Sequence, residues 1–316
     1  MQASKNISRW FGLLWSLCCV GWSFDAQAID LHLRWKQGQI FQIYWNTEQL
    51  IDQEAMGQKT QIQQTIGTGY TFETRSVDAA GTARVLVGFK RIYFKVQTPQ
   101  GVLEYNSEKP PRQVPPLAQG FAALLGRRFT MEINSQGKVL SLDGVDKMIE
   151  DVMGSLKAGD AQQRAQLQLQ LKQQFGNEAL RQMMEQMMAL YPGRRVKIGE
   201  SWSKTLQMGG AVPMILKRQW TLIALRGGYA FLRVKADILP NKISPPLRMG
   251  PLELRYNLAG QQTGTLFLQI ESGFPMRGKS KQFLQGIIKV SSKAPNVPPD
   301  MDWPVKINTT VDFRPF

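Results

Sequence analysis

From Ile40 onward the chain alternates apolar and polar residues in run after run, with turn residues between the runs. A period of two puts every second side chain on one face of an extended strand, so each run buries one face and leaves the other to solvent. The runs are 40–45, 60–77, 83–96, 127–133 and 138–142. After a break they resume at 200–207, 214–225, 228–238, 252–258, 263–270, 282–291 and 306–313. Asp78-Ala79-Ala80-Gly81, Ser135-Gln136-Gly137 and Arg226-Gly227-Gly228 separate neighbouring runs as hairpin turns. Gly67 and Gly69 interrupt the second run, where a bulge or bend costs least. An antiparallel meander of about twelve strands cannot stay flat. It must coil into a barrel, a half-barrel or a sandwich, and alternation is the same in all three.

Between Asp143 and Tyr191 the period changes to 3.6. Val145, Met148, Ile149 and Val152 form one helical stripe, with Asp143 as its expected N-cap. A second helix is predicted from Asp160 through Leu167 and Leu171 to Phe175, ended by Gly176. The third starts at Asn177, carries Leu180, Met183, Met184, Met187 and Met188, and stops at Tyr191-Pro192-Gly193. The expected fold is therefore mainly β with a helical insert: a long antiparallel meander coiled into a half-barrel or barrel-like sheet, with helices over one face. The expected divisions are an N-terminal β half at 29–142, a helical lid at 143–192 and a C-terminal β half at 193–316, the two β halves packing as one domain.

Residues 1–28 have the three parts of a secretory signal peptide. Lys5 and Arg9 are the basic region, Phe11 to Phe24 the apolar stretch, and Ala26-Gln27-Ala28 the cleavage site before Ile29. The stretch of about 14 apolar positions is short of the ~20 that span a bilayer. Cys18 and Cys19, the two cysteines of the chain, lie inside it without the small residues that precede a lipidated cysteine. Cleavage leaves a thiol-free chain, which suits an oxidising compartment. It also leaves His32 as the single histidine, so no Cys/His metal site and no cofactor are expected. Lys and Arg exceed Asp and Glu by 15 in the full chain, a positive field that favours anionic partners. The expected address is exported, periplasmic or extracellular, soluble after cleavage, with no transmembrane segment in the mature chain. An exported protein has little access to nucleic acid, so an anionic envelope surface is the natural counterpart of its charge.

The two β segments share landmarks in the same order. Trp35-Lys36-Gln37-Gly38-Gln39 is echoed by Val196-Lys197-Ile198-Gly199-Glu200, Leu103-Glu104-Tyr105-Asn106 by Glu253-Leu254-Arg255-Tyr256-Asn257, and Phe129 to Ser135 by Leu266 to Ser272. One ancestral duplication accounts for all three. Arg34-Trp35-Lys36-Gln37-Gly38-Gln39, Val102-Leu103-Glu104-Tyr105-Asn106-Ser107, Gly126-Arg127-Arg128-Phe129-Thr130 and Val196-Lys197-Ile198-Gly199-Glu200-Ser201-Trp202 resemble a family of exported bacterial proteins classed as a domain of unknown function. The resemblance implies export and architecture, and it brings no catalytic residues with it. A looser likeness, in shape alone, is to periplasmic lipoprotein carriers, in which a coiled sheet under helices shelters acyl chains.

Each candidate for chemistry stands beside a plainer reading. Ser201-Trp202-Ser203-Lys204 has the S-x-x-K spacing of penicillin-recognising enzymes, but that chemistry needs a helix start, and this tetrapeptide lies in a strand pattern. Met183, Met184, Met187 and Met188 offer soft sulfur to copper(I), or an adaptable apolar stripe for a hydrophobic ligand. The pairs Asp143/Asp146 and Asp300/Asp302 lack the partners of a hydrolytic or metal site. Gly67-Thr68-Gly69 is followed by neither a helix start nor the lysine of a phosphate loop. Basic residues come as Arg127-Arg128, Arg194-Arg195, Lys217-Arg218 and the alternating Arg277, Lys279 and Lys281, the last three sharing one strand face as either an anion-contacting or a merely solvated surface. The leading expectation is a non-catalytic envelope protein that binds a lipid-like ligand through Leu180, Met183, Met184, Met187 and Met188. The alternatives are a scaffold docking a partner near Ala294 to Pro304, and a hydrolase using Ser201 and Lys204. N-terminal sequencing of the exported protein is expected to begin at Ile29; retention of Met1 to Ala28 would contradict the reading of the leader.

Overall fold

The computed structural model describes residues 28–115, 118–156, 161–208, 212–242, 246–249, 252–292 and 300–316. Residues 1–27 of the leader, with Cys18 and Cys19, and the stretch from Ala294 to Pro299 lie outside the described residues. In chain order the elements are β1 (Ile29–Asp30), β2 (Ile40–Ala55), β3 (Gln58–Val77), β4 (Ala83–Thr98), β5 (Gly101–Asn106), α1 (Gln119–Ala122), β6 (Arg128–Ile133) and β7 (Val139–Asp143). The helices α2 (Val145–Ser155), α3 (Ala161–Phe175) and α4 (Asn177–Met188) follow. The chain then returns to strands: β8 (Arg195–Val196), β9 (Ser201–Met208), β10 (Met214–Arg226), β11 (Tyr229–Pro240), β12 (Leu247–Met249), β13 (Leu252–Gln269), β14 (Pro275–Ser292) and β15 (Asp300–Pro315).

Among the described residues thirteen strands form one antiparallel sheet in the order β7-β6-β4-β3-β2-β15-β14-β13-β11-β10-β9, with β5 beside β6 on β4 and β12 on β13. The last strand meets the first long one in the middle of this row: β15 pairs β2 from Val305↔Gln53 to Pro315↔Ile43, which joins the two β segments edge to edge. The row does not close on itself. Strands β7 and β9 stand at its two ends, and α4 contacts both.

Three local features differ from the sequence expectation. The runs 252–258 and 263–270 are one strand, because Ala259-Gly260-Gln261-Gln262 stays in ladder with β14; Gly260 serves close approach, since a Cβ there would lie 1.8 Å from the Phe283 carbonyl oxygen. The run at Ile40 continues to Ala55 and turns through Met56 and Gly57, whose φ values of 52° and 74° are those of a type I′ hairpin without the usual Asn-Gly signal. The cap of α2 is Gly144 at φ 81°, and Asp143 remains in β7 opposite Thr130 because the ladder claims its backbone. The expected irregularity in the glycine-interrupted run is present as a register shift at Gly69/Tyr70 against β4.

The sheet's inner face and the helices bury two apolar clusters. The larger holds Trp35, Phe41, Phe72, Phe89, Phe129, Trp202 and Trp220 with Val145, Ile149, Leu180, Met184 and Met188 of the helices. The smaller joins Met214, Leu216 and Ile238 to Leu258, Leu284, Ile288 and Val305 toward the other end of the strands. The segment 31–35 closes the end below the larger cluster: Leu33 N–H donates to Ser135 O and Arg34 N–H to Ser272 O, both at 2.8 Å. Those two acceptors are the positions matched between the β segments by their sequence landmarks. Phe41 stacks on Phe274 at 4.0 Å, and Tyr191 Oη donates to Gly273 O at 2.7 Å.

The end of α4 is held from both edges of the sheet. Trp202 Nε1 on β9 donates to Leu190 O at 2.6 Å, and the β6–β7 turn comes so close that a Cβ on Gly137 would lie 1.9 Å from Met188 O. Gly137 also needs φ 76°. Gly137→Ala therefore combines left-handed strain with a backbone clash and is expected to cost about 3 kcal/mol in urea unfolding. Gly81→Ala, with φ 79° and nothing within 4 Å of its Cβ, is expected to cost about 1 kcal/mol. Equal losses at the two sites would show that α4 is not pinned there.

Candidate functional site beneath the helical lid

Strand register places one inward-facing residue from each of seven neighbouring strands, β9 through β2, on a single cross-sheet row. It runs Lys204, Arg218, Ala236, Gln262, Gln282, Thr309 and Gln49, each directly opposite the next. The next inward row on one side reads Leu206, Leu216, Ile238, Gly260, Leu284, Ile307 and Ile51. The row on the other side begins Trp202, Trp220 and Val234. A polar row thus crosses an otherwise apolar inner face, between the two buried clusters.

Leu206 on β9 packs against both clusters. A cavity of about 280 Å³ lies between them, roofed by Met183, Gln186, Met187 and Leu190 of α4 and the residues just after it. Trp45, Trp220, Leu266 and Phe313 supply apolar wall, and Arg218, Gln262, Gln282, Thr309 and Gln49 supply the polar wall. Two of the polar wall groups are buried, Gln262 at 8% and Thr309 at 6% exposure. Gln49 Nε2 donates to Thr309 Oγ1 at 3.3 Å and Gln262 Nε2 to Ser280 Oγ at 3.2 Å, which leaves Gln262 Oε1 buried with no partner among the described residues.

Arg218 is the unusual member. Its Nη1 donates to Gln186 O on α4 at 3.0 Å, its Nε is buried without a partner, and its guanidinium carbon lies 5.8 Å from the Trp220 ring centre. No carboxylate offsets the charge: burial alone pulls its pKa down to about 10. Lys204, directly opposite it on β9, is also lowered by burial. Tyr70, whose hydroxyl reaches Met183 Sδ at 3.7 Å, is pushed up to about 12 by desolvation, so it stays a neutral wall group. The site has a soft apolar roof, an aromatic wall and a positive polar belt. This arrangement can hold an amphiphile, and it assembles no nucleophile with a base.

The sequence profile of DUF6263, a family of unknown function, matches residues 80–275. The chain belongs to that family. The matched span contains the helices, Arg218 and Gln262 of this DUF6263 protein. No curated protein matches the chain. Among solved structures it is similar to lipovitellin, with a TM-score of 0.48 and 8% identity over 89% of this chain, spanning 25% of that one. It is also similar to the outer membrane protein OprG of Pseudomonas aeruginosa, with a TM-score of 0.23, 8% identity and coverage of 89% and 97%. An outer membrane channel from Pseudomonas putida F1 gives a TM-score of 0.21, 7% identity and coverage of 90% and 97%. Among the described residues no helix is long and apolar enough to cross a membrane.

The residues singled out by sequence divide in space. Met183 and Met187 line the cavity, whereas Leu180, Met184 and Met188 are fully buried in the larger cluster. Arg277, Lys279 and Lys281 are exposed on β14, alternating with buried Gly278 and half-buried Ser280 and Gln282, so their side chains stand on the outer face, and of the three Lys279 also borders the cavity. Ser201 is exposed on β9, its hydroxyl 2.8 Å from that of Thr221, and Lys204 stands on the opposite face. His32 Nδ1 lies 3.1 Å from Asp30 Oδ2 at the protein's edge. Asp146 accepts from Asn177 and Asp300 from Ser291.

Sequence reasoning read Lys217-Arg218 only as a basic pair. The pleat splits it, with Lys217 outward and Arg218 inward. The signal was present: in Met214, Leu216, Arg218, Trp220 and Leu222, arginine occupies an apolar parity. Below pH 10 this guanidinium is charged both folded and unfolded, so the folded state carries its whole desolvation cost. Above that pH the folded form releases the proton first and the contribution of Arg218 to stability rises. Arg218→Met is therefore expected to hold or raise the urea midpoint at pH 7. A loss beyond about 1 kcal/mol would make the bond to Gln186 O its main role.

Proposed function

We propose that this exported protein is a non-catalytic envelope binder or carrier, holding a lipid-like ligand in the cavity beneath α4. The observation that carries the reading is the gap of about 280 Å³ between the two apolar clusters, roofed by Met183 and Met187. Well-packed interiors leave few voids larger than a water molecule, so a hollow of this size in an apolar wall is a place for a guest. Methionine roofs adapt to variable apolar shapes, because thioether chains repack at little cost. The signal-like leader supplies the address, and the cationic excess suits work beside anionic envelope surfaces.

A scaffold role is the second reading, favoured by a different surface. The outer face of the sheet forms an open groove of about 1290 Å³ along β11, β13, β14 and β15, with Phe283 41% and Leu239 36% exposed. Exposed apolar side chains in a concave surface are the common mark of a protein contact.

Native mass spectrometry of the mature protein, purified gently from envelope extract, separates the two readings. One apolar molecule per chain is expected, recoverable by organic extraction. Met187→Trp, which fills the cavity from its roof, is expected to be purified empty while staying folded. An empty wild-type mass would remove the carrier reading and leave the outer groove as the functional surface.

A further inference from the structure

We infer that the ligand of the cavity carries an anionic head group, a carboxylate in the simplest case, seated on the polar row between Arg218 and Gln262 with its chain along Trp45, Met183, Met187 and Phe313. The inference rests on the cavity reading and deepens it, since an apolar hollow alone leaves the chemistry of the ligand open.

Three observations support the assignment. The first is charge. Lys204 and Arg218 are direct cross-strand partners on the inner face, and the row contains no acid. Like charges placed opposite one another repel, and a buried guanidinium without a counter-ion is disfavoured. Other arginines do meet acids, as Arg127 meets Asp151 and Arg194 meets Glu200. Among the described residues that line the cavity there is no acid, and an anionic ligand supplies the counter-charge.

The second is unmet hydrogen bonding. Arg218 Nε and Gln262 Oε1 are buried without partners, and both residues line the cavity. Buried polar atoms are paired as a rule, so two unpaired atoms in cavity-lining side chains mark groups that gain by turning toward a partner there. The Gln262 amide can turn by half a rotation and keep Ser280, because a hydroxyl both donates and accepts; its Nε2 then points to the guest. Arg218 and Gln262 are separated by one strand, about 10 Å between Cα atoms, with small Ala236 between them. Two long side chains converge on one head group across that distance. Arginine suits it, because its planar fork matches a carboxylate in two bonds.

The third is size. A cavity of about 280 Å³ is roughly twice one that admits benzene, which sets the guest at about a dozen non-hydrogen atoms. A carboxylate on a medium-length alkyl chain fills that volume.

The test is isothermal titration calorimetry of the full mature protein with decanoate and with decanol, which share chain length and differ in charge. Decanoate is expected to bind once per chain, more tightly than decanol. Arg218→Gln is expected to weaken decanoate on the order of tenfold or more while leaving decanol within about twofold. Gln262→Leu, distant from the contact with α4, is expected to weaken decanoate severalfold and serves if the arginine variant does not fold. Decanoate affinity unchanged in both variants, with decanol still bound, overturns the head-group assignment and leaves the cavity reading intact. Failure of the wild type to bind either probe overturns both.

Discussion

The structure depends on hiding one face of a single sheet that has eleven strands in a row. Outside that sheet the described strands are only the two-residue pair β1 and β8, whose Val196 joins the larger cluster. The sheet must therefore curl until its inner side chains meet one another and the helices, which they do in the two clusters. Curling leaves the end strands β7 and β9 apart, and α4 occupies the gap between them. Two contacts of opposite kind hold it: a hydrogen bond from Trp202 on one side, and a glycine-only approach at Gly137 on the other. Removing the helix would expose both the larger cluster and the open seam, so lid and barrel wall are one stabilising unit.

The same curl explains why the interior has a hollow. Apolar rows on the inner face pack wherever they face apolar rows, but the row from Lys204 to Gln49 is polar and cannot serve as filler for either cluster. A half-buried polar row with unmet groups costs stability, and a core built for stability alone would carry aliphatic residues in place of Arg218 and Gln262. Both occupy apolar-parity positions of their strands, which is why the proposed head-group contact is placed there. The same parity separates the interior from the outer cations Arg277, Lys279 and Lys281, whose exposure makes their charge inexpensive and unspecific.

Much of the architecture was legible because β and helical periods differ. The helices at 143–192 stood out by spacing alone, and Ala161–Phe175 and Asn177–Met188 begin and end close to the predicted signals. Met56-Gly57 escaped notice because a methionine at positive φ carries no turn signal; its conformation is imposed by the pairing of β2 with β3. Gly260 misled in the other direction, since a glycine that lets strands approach looks the same in sequence as one that ends a strand. The site was legible in fragments. Met183 and Met187 belonged to a stripe that spacing found, yet spacing could not tell the two that meet the cavity from Leu180, Met184 and Met188, which fill the core.

By itself the sequence determined that the chain is a coiled antiparallel meander interrupted by a helical cover, because alternation and its breaks are local properties of neighbouring residues. It also determined which side chains share a face within each strand. Only the tertiary structure decided which strands neighbour one another, and hence that Arg218, Gln262, Gln282, Thr309 and Gln49, drawn from opposite ends of the chain, lie on one row. The reason is register. A residue's facing is set by its own strand, but its cross-strand partner is set by pairing between residues far apart in sequence, as with Gln49 and Thr309, which are 260 positions apart.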